Sequence, residues 1–154
     1  MKKNASYIVL YLILVVSALM AQPKQKAGIS ADETIQYLNK KFVGAIEIKN
    51  DRGDMIVDYF NKGKKIRRDV VAFEQLDPKS IAYLQDEKSF IIRCIADDCI
   101  NRHIEFPKTH NYYARINFPY NGDSLSMKGI PKAFLHLLML FQDPQYKSNT
   151  PFEK

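Results

Sequence analysis

Gly44-Ala45-Ile46-Glu47-Ile48-Lys49-Asn50-Asp51-Arg52-Gly53-Asp54-Met55-Ile56-Val57-Asp58-Tyr59-Phe60 is the stretch that decides how this chain folds. Gly44, Ile46 and Ile48 alternate with Ala45, Glu47 and Lys49, a period of two that belongs to a strand rather than a helix. Residues 50–54 form a turn cluster, and 55–60 is strand-like again. Two strands joined by so short a turn pair antiparallel, because a parallel return needs a dozen or more residues.

The same rhythm continues downstream. Asn61-Lys62-Gly63 turns the chain into 65–73, and Asp77-Pro78 breaks that run. Runs 80–84 and 89–96 flank the charged turn Gln85-Asp86-Glu87-Lys88. Runs 99–106 and 112–118 follow, separated by Pro107 and polar residues. Seven short antiparallel strands are therefore expected. Helices bracket them. Ser30 and Glu33 have capping-box spacing with Asp32 in the first turn, and Ile35, Leu38 and Phe42 follow at helical intervals, which predicts a helix over 31–41. Near the other end Ile130, Phe134, Leu137, Leu138 and Phe141 share one helical face; Leu135, Met139 and Leu140 widen it. Pro131 suits the first turn and Asp143-Pro144 stops the helix.

The expected fold is α+β: a short N-terminal helix, about seven antiparallel strands in a barrel or a strongly bent sheet, and a C-terminal amphipathic helix packed on that sheet. It occupies 29–143 as one domain, after a linker at 22–28 and before a flexible tail at 144–154. Over about residues 43–142 the element order resembles the pleckstrin-homology-like barrel, in which a C-terminal helix plugs one end of two packed sheets. The alternative is one twisted antiparallel sheet with both helices on a single face. The wording of the chain, from Ile35-Gln36-Tyr37-Leu38-Asn39-Lys40-Lys41 to Lys132-Ala133-Phe134-Leu135-His136-Leu137-Leu138, also resembles small exported proteins of Bacteroidetes-type bacteria. That resemblance implies export and no activity.

Residues 1–21 read as a cleavable signal peptide. Lys2 and Lys3 precede an uncharged run from position 7 to 19, and Ser17, Ala18 and Ala21 supply small residues before the polar Gln22-Pro23-Lys24-Gln25-Lys26. Cleavage is expected after Ala21, with Ala18 as second choice. The apolar run falls short of the roughly 20 residues that span a bilayer, so a membrane tether is expected only if the segment stays uncleaved. No cysteine lies there to take a lipid. Loss of the leader takes the formal charge from +6 to +4. So modest an excess permits acidic partners or anionic surfaces and does not demand nucleic acid. The expected setting is the periplasm or the exterior.

Cys94 and Cys99 are the two cysteines. An oxidising compartment favours a disulfide, which the geometry of a tight hairpin would allow: a two-residue turn at Ala96-Asp97 makes the cysteines a non-hydrogen-bonded pair with Cα atoms about 4.5 Å apart. A redox role is disfavoured, since such pairs sit closer and at a helix start. The hairpin carries one conflict, because it puts Phe90 and Ile92 on the face of Asn101 and His103.

Lys62, Lys64, Lys65, Arg67 and Arg68 form the densest charge cluster. On a hairpin they make a basic patch for a polyanion, a lipid headgroup or an acidic partner; equally they suit a solvated edge that resists strand pairing. Asp69, Glu74 and Asp77 dilute that field. Tyr113 and Arg115, expected on one strand face, offer a stacking surface for a sugar or peptide, or simply a strand rim. Arg52-Gly53-Asp54 spells an adhesion tripeptide but is also plain turn composition. His103, His110 and His136 lack metal-ligand spacing; His103 is expected on a strand surface and His136 within the C-terminal helix, off its main apolar stripe, as a boundary residue. Asp97 and Asp98 lack a calcium-loop pattern. No cofactor, metal or nucleophile constellation is expected. The function expected is a non-enzymatic binding module for an acidic partner or anionic surface; the alternative is a small secreted hydrolase, or an inhibitor of one, with a pocket assembled from distant residues.

Overall fold

The computed structural model of the chain describes residues 28–125 and 127–146. Residues 1–21, read above as a signal peptide, most of the expected linker and the end of the expected tail lie outside them. The fold is α+β, with a helix at each end and eight antiparallel strands in two sheets.

The first helix, α1 (Ala31–Lys41), starts where its capping box dictates: the Ser30 hydroxyl accepts from the Glu33 N–H at 3.2 Å, and the Glu33 carboxylate accepts from the Ser30 N–H at 2.8 Å. Its Thr34, Ile35 and Leu38 are buried. Strands β1 (Ile46–Asp51), β2 (Asp54–Asn61) and β3 (Lys64–Ala72) then form a meander. Both hairpin loops, Arg52-Gly53 and Lys62-Gly63, have positive φ at both positions, the turn whose twist matches the flanking strands. A bulge opposite Tyr59 and Phe60 leaves Ile66 as the extra residue in β3.

Three short strands leave the meander: β4 (Ala82–Leu84), β5 (Ser89–Arg93) and, later, β8 (Arg115–Pro119), which form a sheet in the order β4-β5-β8. Strands β6 (Ile100–Glu105) and β7 (Lys108–Tyr113) return to the large sheet, whose order is β1-β2-β3-β6-β7. The closing helix α2 (Gly129–Gln142) packs on α1, and Gln142 donates to the carbonyls of Phe73 and Leu76 at 2.8 and 2.7 Å. One core collects Ile48, Met55 and Val57 from the large sheet, Phe90, Ile92, Ile116 and Phe118 from the small one, and Leu38, Phe134 and Leu137 from the helices. Among the described residues no helix is long and apolar enough to cross a membrane.

The structure corrects the expected pairing in four respects. Among the described residues there are eight strands where about seven were expected, in two sheets rather than a closed barrel. Strands β5 and β6 are not a hairpin: β5 pairs with β4 and β8, whereas β6 pairs with β3 and β7. That removes the face conflict, because buried Phe90 and Ile92 and the exposed His103 belong to different sheets. The cysteines are bonded, with Cα atoms 5.8 Å apart rather than at hairpin spacing. The run 112–118 is not one strand either. The chain breaks at Ala114 to change sheets, and Tyr112 is 57% exposed. His136 is fully inside, with Nε2 3.0 Å from the Ile29 carbonyl and Nδ1 3.2 Å from the Tyr146 hydroxyl, because α2 is covered on that side by the start of the domain.

The two crossings between sheets touch. The Cys94 N–H donates to the Ala114 carbonyl at 2.9 Å, so the disulfide secures the place where the chain leaves the small sheet beside the place where it re-enters it. Its ring holds six residues, for which chain entropy gives about 2 kcal/mol. The Cys94→Ser/Cys99→Ser variant is expected to lose that much in urea unfolding and to remain folded; a loss above about 4 kcal/mol would make the bond a scaffold and not a local tie.

Candidate functional site

Side chains on alternate residues of a strand share a face, and cross-strand partners on that face are neighbours. Applied to the outer face of the large sheet, the pairing Glu47↔Asp58↔Arg68↔His103↔His110 is a polar row five strands wide. Arg68 forks onto Asp58 with Nε and Nη2 at 2.7 and 2.8 Å. These bonds hold the Asp58 carboxyl below its ordinary pKa against the opposing effect of burial. Lys49 bridges Glu47 at 2.9 Å and Asp58 at 3.5 Å. At the far end the rings of His103 and His110 stack in parallel, 4.4 Å apart, and His110 Nε2 bonds Asn101 Oδ1.

An open groove of about 480 Å³ runs along this end of the face. Lys65, Arg68 and Lys108 line it with His103, His110 and Thr109, and Glu105 is its one lining carboxylate. Lys65 lies 3.7 Å from Glu105 and 3.9 Å from Asp58. Asp58 beneath neutralises Arg68, so Lys65 and Lys108 against Glu105 leave the floor one net positive charge. Among the described residues no group of three His, Cys, Asp or Glu is set to hold a metal ion.

The basic cluster expected at 62–68 is divided between the faces. Lys65 and Arg68 reach the groove. Lys62 sits at the tip of its hairpin, and Lys64 lies over the ring of the exposed Phe106, 4.3 Å from its centroid. Arg67 points the other way, into the protein, where its guanidinium covers Tyr59 at 3.4 Å and Nε lies 3.2 Å from Asp69 Oδ1.

That inner cluster is structural in character. Asp69 is fully buried and accepts two bonds from Arg102, both of 2.8 Å, and lies 3.1 Å from the Tyr59 hydroxyl. Tyr59 also lies 2.7 Å from the Asn117 carbonyl, joining the sheets. Burial and the Asp69 charge together push the Tyr59 hydroxyl far above its ordinary pKa, so it stays neutral. For Arg102 burial acts downward, but the bonds and charge of Asp69 prevail and raise its pKa. Arg67 Nε and Nη2 find no hydrogen-bond partner among the described residues.

Tyr113 and Arg115 do not form a shared face. Tyr113 ends β7 in the large sheet and packs under Arg102, 4.1 Å from its centroid, whereas Arg115 begins β8 in the small sheet and pairs with Glu87 at 2.9 Å. Arg52-Gly53-Asp54 stands at a hairpin tip with Arg52 beside Asp51 at 3.3 Å. Sequence reasoning missed His103 and His110 as a pair, and Lys108 altogether. The chain matches no protein-family model, no curated protein and no solved structure.

Proposed function

We propose that this protein is an exported, non-enzymatic binding module that takes an anionic ligand or acidic partner in the groove of Lys65, Arg68 and Lys108. The carrying observation is the cationic excess of that groove: Lys65, Arg68 and Lys108 against Glu105 and the Asp58 beneath Arg68. The disulfide supports the exported setting. The hydrolase alternative gains no such support: His103 is on the outer face, while Tyr113 packs under Arg102 on the inner one, so the two do not converge.

The test is titration of the purified protein with poly-glutamate, polyphosphate and phosphatidylglycerol vesicles at low and physiological salt. Lys108→Glu should weaken the responding probe by roughly tenfold, a difference of about 1.4 kcal/mol. Lys132→Glu, on the exposed side of α2, should leave it unchanged. Binding that ignores Lys108→Glu, or no binding by any of the three probes, overturns the reading.

A further inference from the structure

A β-sheet ends in strands whose outer backbone groups need a partner, and the two sheets here have four such ends. Three are closed. On β1 the Asn39 side chain of α1 takes both groups of Ile48, accepting from its N–H at 2.7 Å and donating to its carbonyl at 2.9 Å. Strand β4 is three residues long. On β8 the Asn117 carbonyl accepts from Tyr59 of the opposite sheet. The fourth, β7, is different. It is six residues long, five of them are exposed, its register with β6 is unbroken, and it contains no proline. In an antiparallel pair alternate residues direct their N–H and C=O away from the partner, so half of this strand presents open donors and acceptors.

The open edge borders the groove. Lys108, His110 and Tyr112 are on the outer face of β7, alongside Arg68 and Lys65. A strand added there would lie about 4.8 Å away, with every second side chain beside those residues. We infer that β7 accepts an extended acidic peptide from a partner protein as a sixth strand, its carboxylates on the outer face over Lys108 and the groove. This rests on the anion-binding reading and specifies its ligand. Charge selects the occupant: a second copy of the chain would bring another Lys108 and another positive groove against the first, and like charges on adjacent strands repel. Main-chain bonds supply the affinity in this mode and the alternate side chains supply the choice.

Fluorescence anisotropy with a labelled alternating Glu-Val decapeptide tests this. Two further versions carry N-methyl groups on alternate amides, one in each phase. One phase should weaken binding by roughly tenfold or more and the other by much less, because only one edge of an added strand meets β7. Lys108→Glu should weaken the unmodified peptide by a similar factor. Equal binding by both methylated versions, or equal loss, overturns the added strand. So does a stable dimer of the unliganded protein that β7 substitutions dissolve, which would give the edge to a second copy. Vesicles or polyphosphate binding where the peptide does not would overturn the peptide and leave the anion-binding reading standing; silence from every anionic probe would remove both.

Discussion

Asp69→Asn is expected to lower the unfolding free energy by roughly 3–5 kcal/mol, the range found when one partner is taken from a buried ion pair. Asp69 is fully buried and stands between two guanidinium groups. Its loss leaves Arg102, whose side chain is 13% exposed, with an unneutralised charge in the interior. Against a total of about 5–15 kcal/mol for a domain, this is a large fraction. The cluster is lopsided, and the lopsidedness makes the prediction specific. Arg102→Met should cost less than Asp69→Asn, because the carboxylate keeps Arg67 at 3.2 Å. Arg67→Met should be close to neutral, because that side chain has two buried nitrogens without hydrogen-bond partners and the methionine thioether can cover Tyr59 in place of the guanidinium. The double variant Asp69→Leu/Arg102→Met should recover part of the loss by replacing charge with apolar volume. Urea unfolding followed by circular dichroism, with an unchanged denaturant slope, measures all four. Arg67→Met as damaging as Asp69→Asn would contradict the assignment of Arg102 as the principal partner.

The same cluster separates two uses of basic residues that are adjacent in the chain. Arg67 and Arg68 are neighbours in sequence, yet alternation on β3 sends one inward to Asp69 and the other outward to Asp58 and the groove. Uniform neutralisation of 62–68 would therefore confound binding with stability. Lys108 separates them, being exposed, in the groove and outside the inner cluster.

What was legible in the sequence were the elements whose information is local. Ser30 and Glu33 set the start of α1, Asp143-Pro144 marks the end of α2, and the glycine turns at 53 and 63 fix the meander. Strand partners are not local. A hydrophobic alternation says which face is buried and nothing about which strand lies beside it, so 89–96 and 99–106 read as a hairpin although their strands belong to different sheets. The signal was present in the clash of Phe90 and Ile92 with Asn101 and His103: two strands whose faces disagree do not belong side by side. Strand β7 escaped for a different reason. Lys108-Thr109-His110-Asn111 has no apolar alternation because nothing described covers either face, and a polar edge strand is indistinguishable from a loop by composition. The candidate site depends on that strand, since His110 and Lys108 come from it.

Phe42→Ala should be the most damaging single truncation near α1, with a loss of roughly 3–5 kcal/mol. Phe42 stands one residue past α1, and its ring meets Phe90 of β5, Phe118 of β8, Tyr120 beyond β8 and Phe134 of α2, all with centroids between 5.8 and 6.3 Å. Two of these contacts are edge-to-face, the arrangement in which one ring's positive edge meets another's negative face. The ring is thus the common neighbour of the small sheet and the closing helix. Its backbone makes the junction as well: the N–H donates to Leu38 and the carbonyl accepts from Ala45 and Ile46. Alanine keeps those bonds and removes the ring, so the loss measures packing alone. Phe42→Leu should restore more than half of it by refilling volume without the aromatic contacts. Phe106→Ala, at a residue 68% exposed, should change stability by no more than about 0.5 kcal/mol. Hydrogen exchange should show amides of β5, β8 and α2 losing protection together in Phe42→Ala, with β2 and β3 affected least, because the ring contacts none of the latter two through its aromatic partners. A loss below about 1.5 kcal/mol, or uniform deprotection of the whole domain at lower cost, would mean that the core repacks around the missing ring and that Phe42 is not its centre.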